Sequence, residues 1–295
     1  VKTFLSRIGS VRGTSSHQFN PFFALASAQA DEHRGEVYGM ALIYSGDFAA
    51  EAERSFDGTV RMQMGIHPDT FTWHLPPGER FTTPEAVMVY SPDGLNGLSR
   101  RFHRFIRERI FPPEFRQLER PVLFNNWEAT YFDFDEQKLL SLAEEAAELG
   151  IELFVLDDGW FGGRDSDETS LGDWEVNSRK LPAGLSLLGQ RIGELGMRFG
   201  LWMEPEMISP QSELYRNHPE WCIAVPGREP AVGRNQLVLD LGREEVRSYI
   251  IDTISEILSS APVSYLKWDM NRNLTDTASA ELTAERQGEV AHRYV

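Results

Sequence analysis

After Pro121 the sequence alternates apolar runs of strand length with amphipathic runs of helix length, and that alternation restricts the fold more than any other feature. Residues 122–126 precede a helical stretch at 135–149, and 151–156 precede another near 185–195. Residues 198–203 then precede a helix over 243–259, and 263–268 close the series. A parallel strand must cross back over its sheet, usually through a helix, so this order predicts a parallel sheet with helices packed on it. Each strand runs into polar and aromatic residues: Asn125-Asn126-Trp127-Glu128, Asp157-Asp158-Gly159-Trp160, Trp202-Met203-Glu204-Pro205-Glu206 and Lys267-Trp268-Asp269-Met270-Asn271. In a (β/α)8 TIM barrel the reactive groups sit at the C-terminal strand ends. Four strands make half of such a barrel, expected over residues 121–295, with the other half beyond Val295.

The preceding text has a different grain. Up to about Pro92, short β-type runs such as 35–44, 60–64 and 86–90 are separated by Gly, Pro and Asp turns, which predicts part of an antiparallel β-sandwich over residues 1–95. A connecting segment, 96–120, opens with an amphipathic helix at 96–110 that carries Leu98, Phe102, Phe105, Ile106 and Ile110 at helical intervals. The fold class is therefore α/β plus all-β. The chain opens at Val1 without a methionine and stops inside a helical run at 281–295, so both ends read as cut.

Charge and cysteine content narrow the function. The 295 residues carry 29 Lys and Arg against 45 Asp and Glu, a net charge of −16, which disfavours nucleic acid and anionic membranes as partners. A neutral ligand suits such a chain better. The single cysteine, Cys222, cannot form an internal disulfide, and the seven histidines show no metal-ligand spacing. No structural metal and no cofactor are expected. Dinucleotide, P-loop and nucleophile-elbow motifs are absent too. No apolar run approaches the ~20 residues of a membrane helix, and a cytoplasmic location is expected.

The densest candidate site is the last strand end. Residues two apart on a strand share a face, so Lys267, Asp269 and Asn271 are expected to point together. A carboxylate flanked by a cation and an amide suits a nucleophile. The alternative is an ion pair on a solvated strand end. Trp268 and Met270 are expected to pack outward under helices. Asp157 and Asp158 follow an apolar strand, with Gly159 allowing a tight turn, and such a pair can accept from neighbouring sugar hydroxyls or simply form a turn. A divalent metal held by Asp157, Asp158, Glu204 and Asp269 is a third option, weakened by Lys267 beside Asp269. Trp127, Trp160 and Trp202 near one rim suggest a platform for a pyranose. Arg234, before the apolar run at 237–241, can reach a pocket with its donor fork or lie on the surface. Asp133, Asp135 and Glu136 read as the opening of the next helix.

Taken in order, the motifs Asn125-Asn126-Trp127-Glu128-Ala129, Leu156-Asp157-Asp158-Gly159-Trp160-Phe161-Gly162, Gly200-Leu201-Trp202-Met203-Glu204-Pro205-Glu206-Met207, Gly233-Arg234-Asn235-Gln236 and Lys267-Trp268-Asp269-Met270-Asn271-Arg272 resemble the α-galactosidases of glycoside hydrolase family 36. The similarity begins near Thr14-Ser15-Ser16-His17-Gln18 and runs to Val295. It implies a retaining exo-hydrolase of terminal α-galactosides such as melibiose and raffinose, with an N-terminal β-sandwich, a (β/α)8 barrel and, in many members, a homotetramer. By the same resemblance, Asp269 is the nucleophile and Lys267 and Asn271 contact the sugar. Asp157 and Asp158 take the O4 and O6 hydroxyls, and Trp127, Trp202 and Arg234 line the pocket. The family's acid/base aspartate belongs to a later motif that this chain lacks, so the chain alone is expected to be inactive. A galactosyl transferase of the same superfamily, a metal-dependent barrel enzyme and a non-catalytic sugar-binding protein are the competing readings.

Overall fold

Strands with one apolar face need a second layer to cover it, and the chain meets that need differently in its two halves. The structure is a computed structural model that describes residues 4–15 and 18–295. Ser16 and His17, in the run where the resemblance begins, lie outside the described residues. Two compact units result, Val1–Glu119 with Leu282–Val295, and Arg120–Glu281.

The first unit contains two three-stranded antiparallel sheets. One has the order β1 (Phe4–Ser10), β4 (Phe48–Arg54), β5 (Val60–Ile66); the other has β2 (Phe22–Ala26), β3 (Val37–Ile43), β6 (Glu85–Ser91). Leu42 of β3 packs with Phe48 and Ala50 of β4, and Ile8, Phe23 and Met64 close around them, so the two sheets share a core. The sequence of β4, Phe-Ala-Ala-Glu-Ala-Glu-Arg, has the composition of a helix. It is a strand because it is central, pairing with β1 from Phe48↔Ser10 and with β5 from Phe48↔Ile66. Helix α1 (Gly94–Phe105) lays Leu98 and Phe102, four residues apart, on Val37. A π turn at Ile106–Ile110 continues it, which accounts for the helix expected over 96–110.

The C-terminal segment departs from the expected layout. Residues 282–295 belong to the first unit, not to the barrel half drawn as 121–295, and the single helix expected at 281–295 is a 3-10 stretch (Ala284–Glu289) followed by a short helix, Val290–Tyr294. Glu289 explains the attachment. Its buried carboxylate accepts from the His74 main-chain N–H and from the guanidinium groups of Arg286 and Arg293, while His292 joins the rings of Phe71, Trp73 and Phe81.

The second unit is built on a parallel four-stranded sheet in the order β12 (Val263–Trp268), β9 (Arg198–Met203), β8 (Leu153–Leu156), β7 (Leu123–Asn125). The strands lie in sequence order, as in part of a barrel wall. Strand β8 is buried throughout, as its unbroken Leu-Phe-Val-Leu run requires. Helices α3 (Glu136–Glu148), α4 (Gly184–Glu194) and α6 (Glu244–Ser260) fall within two residues of the expected bounds. Asp135 caps α3, accepting from the Lys138 N–H at 2.8 Å, as its reading as a helix start anticipated. Short helices α2 (Trp127–Thr130) and α5 (Glu213–Asn217) lie in the connections, as does an antiparallel ribbon of β10 (Met207–Ile208) and β11 (Leu237–Val238).

Gly39 of β3 faces the side chains of α1 with no room for a Cβ. A Cβ placed there meets Phe102 at 2.8 Å and Leu98 at 2.9 Å. Overpacking of this kind costs about 1–3 kcal/mol, so Gly39→Ala is expected to lower the denaturant midpoint accordingly without changing secondary-structure content by circular dichroism.

Candidate active site

The pairing of β12 with β9 continues one residue past the strands. Lys267 lies opposite Trp202, Trp268 opposite Met203, and the Asp269 N–H donates to the Met203 carbonyl at 2.9 Å. Trp202 and Glu204 therefore flank Asp269 and Asn271. Asp269 Oδ2 accepts from Trp202 Nε1 at 3.0 Å and from Asn271 Nδ2 at 2.7 Å, and Oδ1 accepts from the Met270 N–H at 2.9 Å. Three donors thus fix the orientation of a half-buried carboxylate.

Lys267 turns to the neighbouring strand end. Its Nζ lies 2.7 Å from Asp157 Oδ2, which also accepts from Asn125 Nδ2 at 2.5 Å. Of the expected trio, Asp269 and Asn271 touch, while Lys267 ties their strand to Asp157. Asn126 Oδ1 in turn accepts from the Asp157 N–H. The chain turns at Gly159 with φ of 105°, a conformation that its lack of a Cβ permits. Asp158 is held by Arg164, which binds both of its oxygens, Nε to Oδ1 at 3.0 Å and Nη2 to Oδ2 at 2.9 Å. Burial pushes the Asp158 carboxyl above its ordinary range, Arg164 opposes the rise and Asp157 adds to it.

The aromatic platform is smaller than the sequence suggested. Trp160 is 0 % exposed and Trp202 2 %, and the Trp160 Nε1 donates to the Trp202 carbonyl at 2.9 Å. Trp160 therefore belongs to the core with Phe161 and Trp174, because the turn at Gly159 folds it back under the strand end. Trp127 is half-buried and edge-on to Tyr131 and Phe132. Trp268 does not pack under the helices. It sits half exposed on the edge strand and donates to Glu206 Oε1 at 2.6 Å. Arg234 and Asn235, both at positive φ, form the two-residue tip of a tight hairpin closed by Gly233 and Gln236, and the Arg234 side chain is exposed there.

With this geometry in place, two family models account for the chain. The Glycosyl hydrolase family 36 N-terminal domain matches residues 5–76, and Melibiase matches residues 80–295. The chain belongs to glycoside hydrolase family 36. Among family 36 relatives, "Alpha-galactosidase AgaA" of Geobacillus stearothermophilus is 61% identical over 97% of this chain and 39% of its own length. "Alpha-galactosidase Mel36A" of Lactobacillus acidophilus is 53% identical over 97% of this chain and 39% of its own. The crystal structure of AgaA superposes with a TM-score of 0.97 at 60% identity, covering 100% of this chain and 41% of that one. The chain thus spans about two-fifths of the length of the family 36 proteins it resembles.

Several residues of this site escaped the sequence reading. Asn125 was part of a motif without an assigned role, and Arg164 and Lys180 carried no signal. Lys180, 2 % exposed, donates to the carbonyls of Phe132, Gly159 and Arg164 and so stitches the loop after β8. In the sequence Glu204 stands out only as one of four oxygen ligands for a divalent metal. Its carboxylate accepts instead from the Asn271 N–H at 2.5 Å and from Gln236 Nε2 at 3.0 Å. Burial pushes Glu204 up to about 7, against the pull of the Asn271 hydrogen bonds and with the added effect of nearby Asp269.

Two outcomes follow. Arg164→Met leaves Asp158 buried without its cation and is expected to cost about 3–5 kcal/mol in equilibrium unfolding. Because the folded state raises Glu204 from 4.5 to about 7, it binds more protons than the unfolded chain in that window, and stability falls as pH rises through it. The thermal midpoint of the native protein relative to Glu204→Gln is therefore expected to decline from below pH 4.5 to above pH 7, and a flat difference would contradict the assignment.

Proposed function

We propose that this chain carries the nucleophile half of a retaining α-galactosidase active site, with Asp269 attacking the anomeric carbon of a terminal α-D-galactosyl unit. The observation that carries this reading is the convergence of Trp202, Asn271 and the Met270 N–H on Asp269. Two side-chain donors hold Oδ2, while Oδ1 accepts a single main-chain hydrogen and keeps a lone pair for attack. Attack forms a galactosyl ester on Asp269 as the glycosidic C–O bond breaks, and the leaving oxygen takes a proton from an acid. Water then cleaves the ester, with overall retention at the anomeric carbon.

Retention requires a second carboxyl group about 5 Å from the first. Asp157 is bound by Lys267 and Asn125, and Asp158 is bound on both oxygens by Arg164. Neither is free to cycle a proton with a leaving group, so we place the acid/base in sequence outside this chain. The same pairing argues against a divalent metal, whose place the cations of Lys267 and Arg164 already take at these carboxylates. Asp157, Asp158, Lys267, Trp127, Trp202, Asn271 and Arg234 are assigned to the sugar. Family 36 relatives support the substrate class, since AgaA variants have been crystallised with raffinose and with stachyose.

A slow fluorinated galactosyl donor applied to the intact enzyme is expected to label Asp269, detected by peptide mass spectrometry. A label on another residue overturns the assignment. Residues 1–295 alone are expected to give no turnover of an aryl α-galactoside, and sustained turnover would mean that the acid lies within this chain.

A further inference from the structure

Glu204 is a buried carboxylate, 1 % exposed, that the mechanism above does not use. It lies one residue past β9, behind Asn271 as seen from Asp269. Oε1 accepts from the Asn271 main-chain N–H at 2.5 Å, and Oε2 accepts from Asn271 Nδ2 at 3.2 Å and Gln236 Nε2 at 3.0 Å. Gln236 is buried as well. Its main-chain carbonyl accepts from Arg272 Nη1 at 2.6 Å, and its side-chain Oε1 has no hydrogen-bond partner. The result is a relay of contacts from the β11 hairpin to the strand end: Gln236, Glu204, Asn271, Asp269.

The chemistry of the amide gives this relay a direction. Asn271 Nδ2 has two hydrogens, and they go to two carboxylates, Asp269 Oδ2 at 2.7 Å and Glu204 Oε2 at 3.2 Å. Asp269, ionised as the nucleophile, only accepts, so the atom facing it has to be the nitrogen, and the amide oxygen faces away. With Glu204 removed, the Asn271 side chain keeps one anchor of two, and its main-chain N–H loses its acceptor. The amide is then free to rotate away from Asp269.

We propose that Glu204 is a positioning residue for the glycosylation step: by holding both the backbone and the side chain of Asn271, it aims the amide N–H at Asp269 Oδ2. This rests on Asp269 being the nucleophile. The hydrogen bonds of Glu204 go to Asn271 and Gln236 and none to Asp269, so it acts on the nucleophile only through Asn271. A glutamine in its place has one acceptor and one donor end, so whichever way it turns, at least one Asn271 hydrogen meets another donor.

The test uses the intact enzyme and the rate of covalent labelling by a slow fluorinated galactosyl donor. Misplacement by about an ångström costs on the order of 10²-fold, so Glu204→Gln is expected to lower the maximal labelling rate at least about tenfold, with the donor's half-saturating concentration within about threefold of native. In an Asn271→Ala background, adding Glu204→Gln is expected to change the rate by less than about twofold, because the link it acts through is already gone. A native labelling rate in a folded Glu204→Gln protein, or a full additional loss on top of Asn271→Ala, overturns the proposal. Where Glu204→Gln does not fold, Gln236→Leu releases one of the three bonds on Glu204. A loss of about threefold or more then supports the proposal, and a native rate overturns it. A label on a residue other than Asp269 in the native enzyme instead overturns the nucleophile assignment, and the positioning role with it.

Discussion

The parallel register between β9 and β12 is the constraint on which the candidate site depends. Because Lys267 lies opposite Trp202 and the Asp269 N–H reaches the Met203 carbonyl, the ladder carries on beyond the last strand residues and places Asp269 level with Glu204. Side chains on a strand alternate faces, so a slip of one residue would exchange the set Trp202 and Glu204 for Met203 and Pro205. The Trp202 indole N–H now directed at Asp269 would then lie on the opposite face of the sheet. Strand β9 is buried on both faces from Phe199 to Met203, so neither set of side chains can replace the other without refilling packed space.

Around that ladder each acidic side chain meets at least one donor or cation, with Asn271 shared between Asp269 and Glu204. Lys267 takes Asp157, Arg164 takes Asp158, Trp202 and Asn271 take Asp269, and Asn271 and Gln236 take Glu204. Four carboxylates at the ends of neighbouring strands repel one another, and burial raises the cost of leaving any of them unpaired. The paired arrangement makes the strand ends self-supporting. It also explains why Arg164, a cation without an obvious sequence signal, is nearly inaccessible to solvent. The loop after β8 is long enough to fold back on itself, and it brings Arg164 to Asp158 six residues away and Lys180 to the Gly159 carbonyl.

The two family 36 models divide the chain at a different place from its packing. The two family models meet between residues 76 and 80, whereas the compact units divide at Glu119 and return Leu282–Val295 to the first unit. Homology boundaries and packing boundaries therefore differ. The return of Leu282–Val295 to the first unit has a physical origin in Glu289, whose buried charge is satisfied by Arg286, Arg293 and the His74 main chain. That requirement draws the segment toward the sandwich residues.

By itself the sequence determined the parallel sheet and the strand ends at which polar residues collect. Strand and helix periodicities are local, and the polar residues after each apolar run are visible without coordinates. It also made Asp269, Asp157 and Asp158 candidates, because carboxylates at buried strand ends are expensive unless used or paired. Tertiary structure alone decided who pairs with whom. Lys267 reaches Asp157 across 110 residues and Trp202 reaches Asp269 across 67, separations over which no periodicity carries information. It also decided that Trp160 is core, that the alanine-rich β4 is a strand, and that Glu204 stands behind Asn271. Burial and register are properties of the assembled sheet, and they override the preference of any single residue.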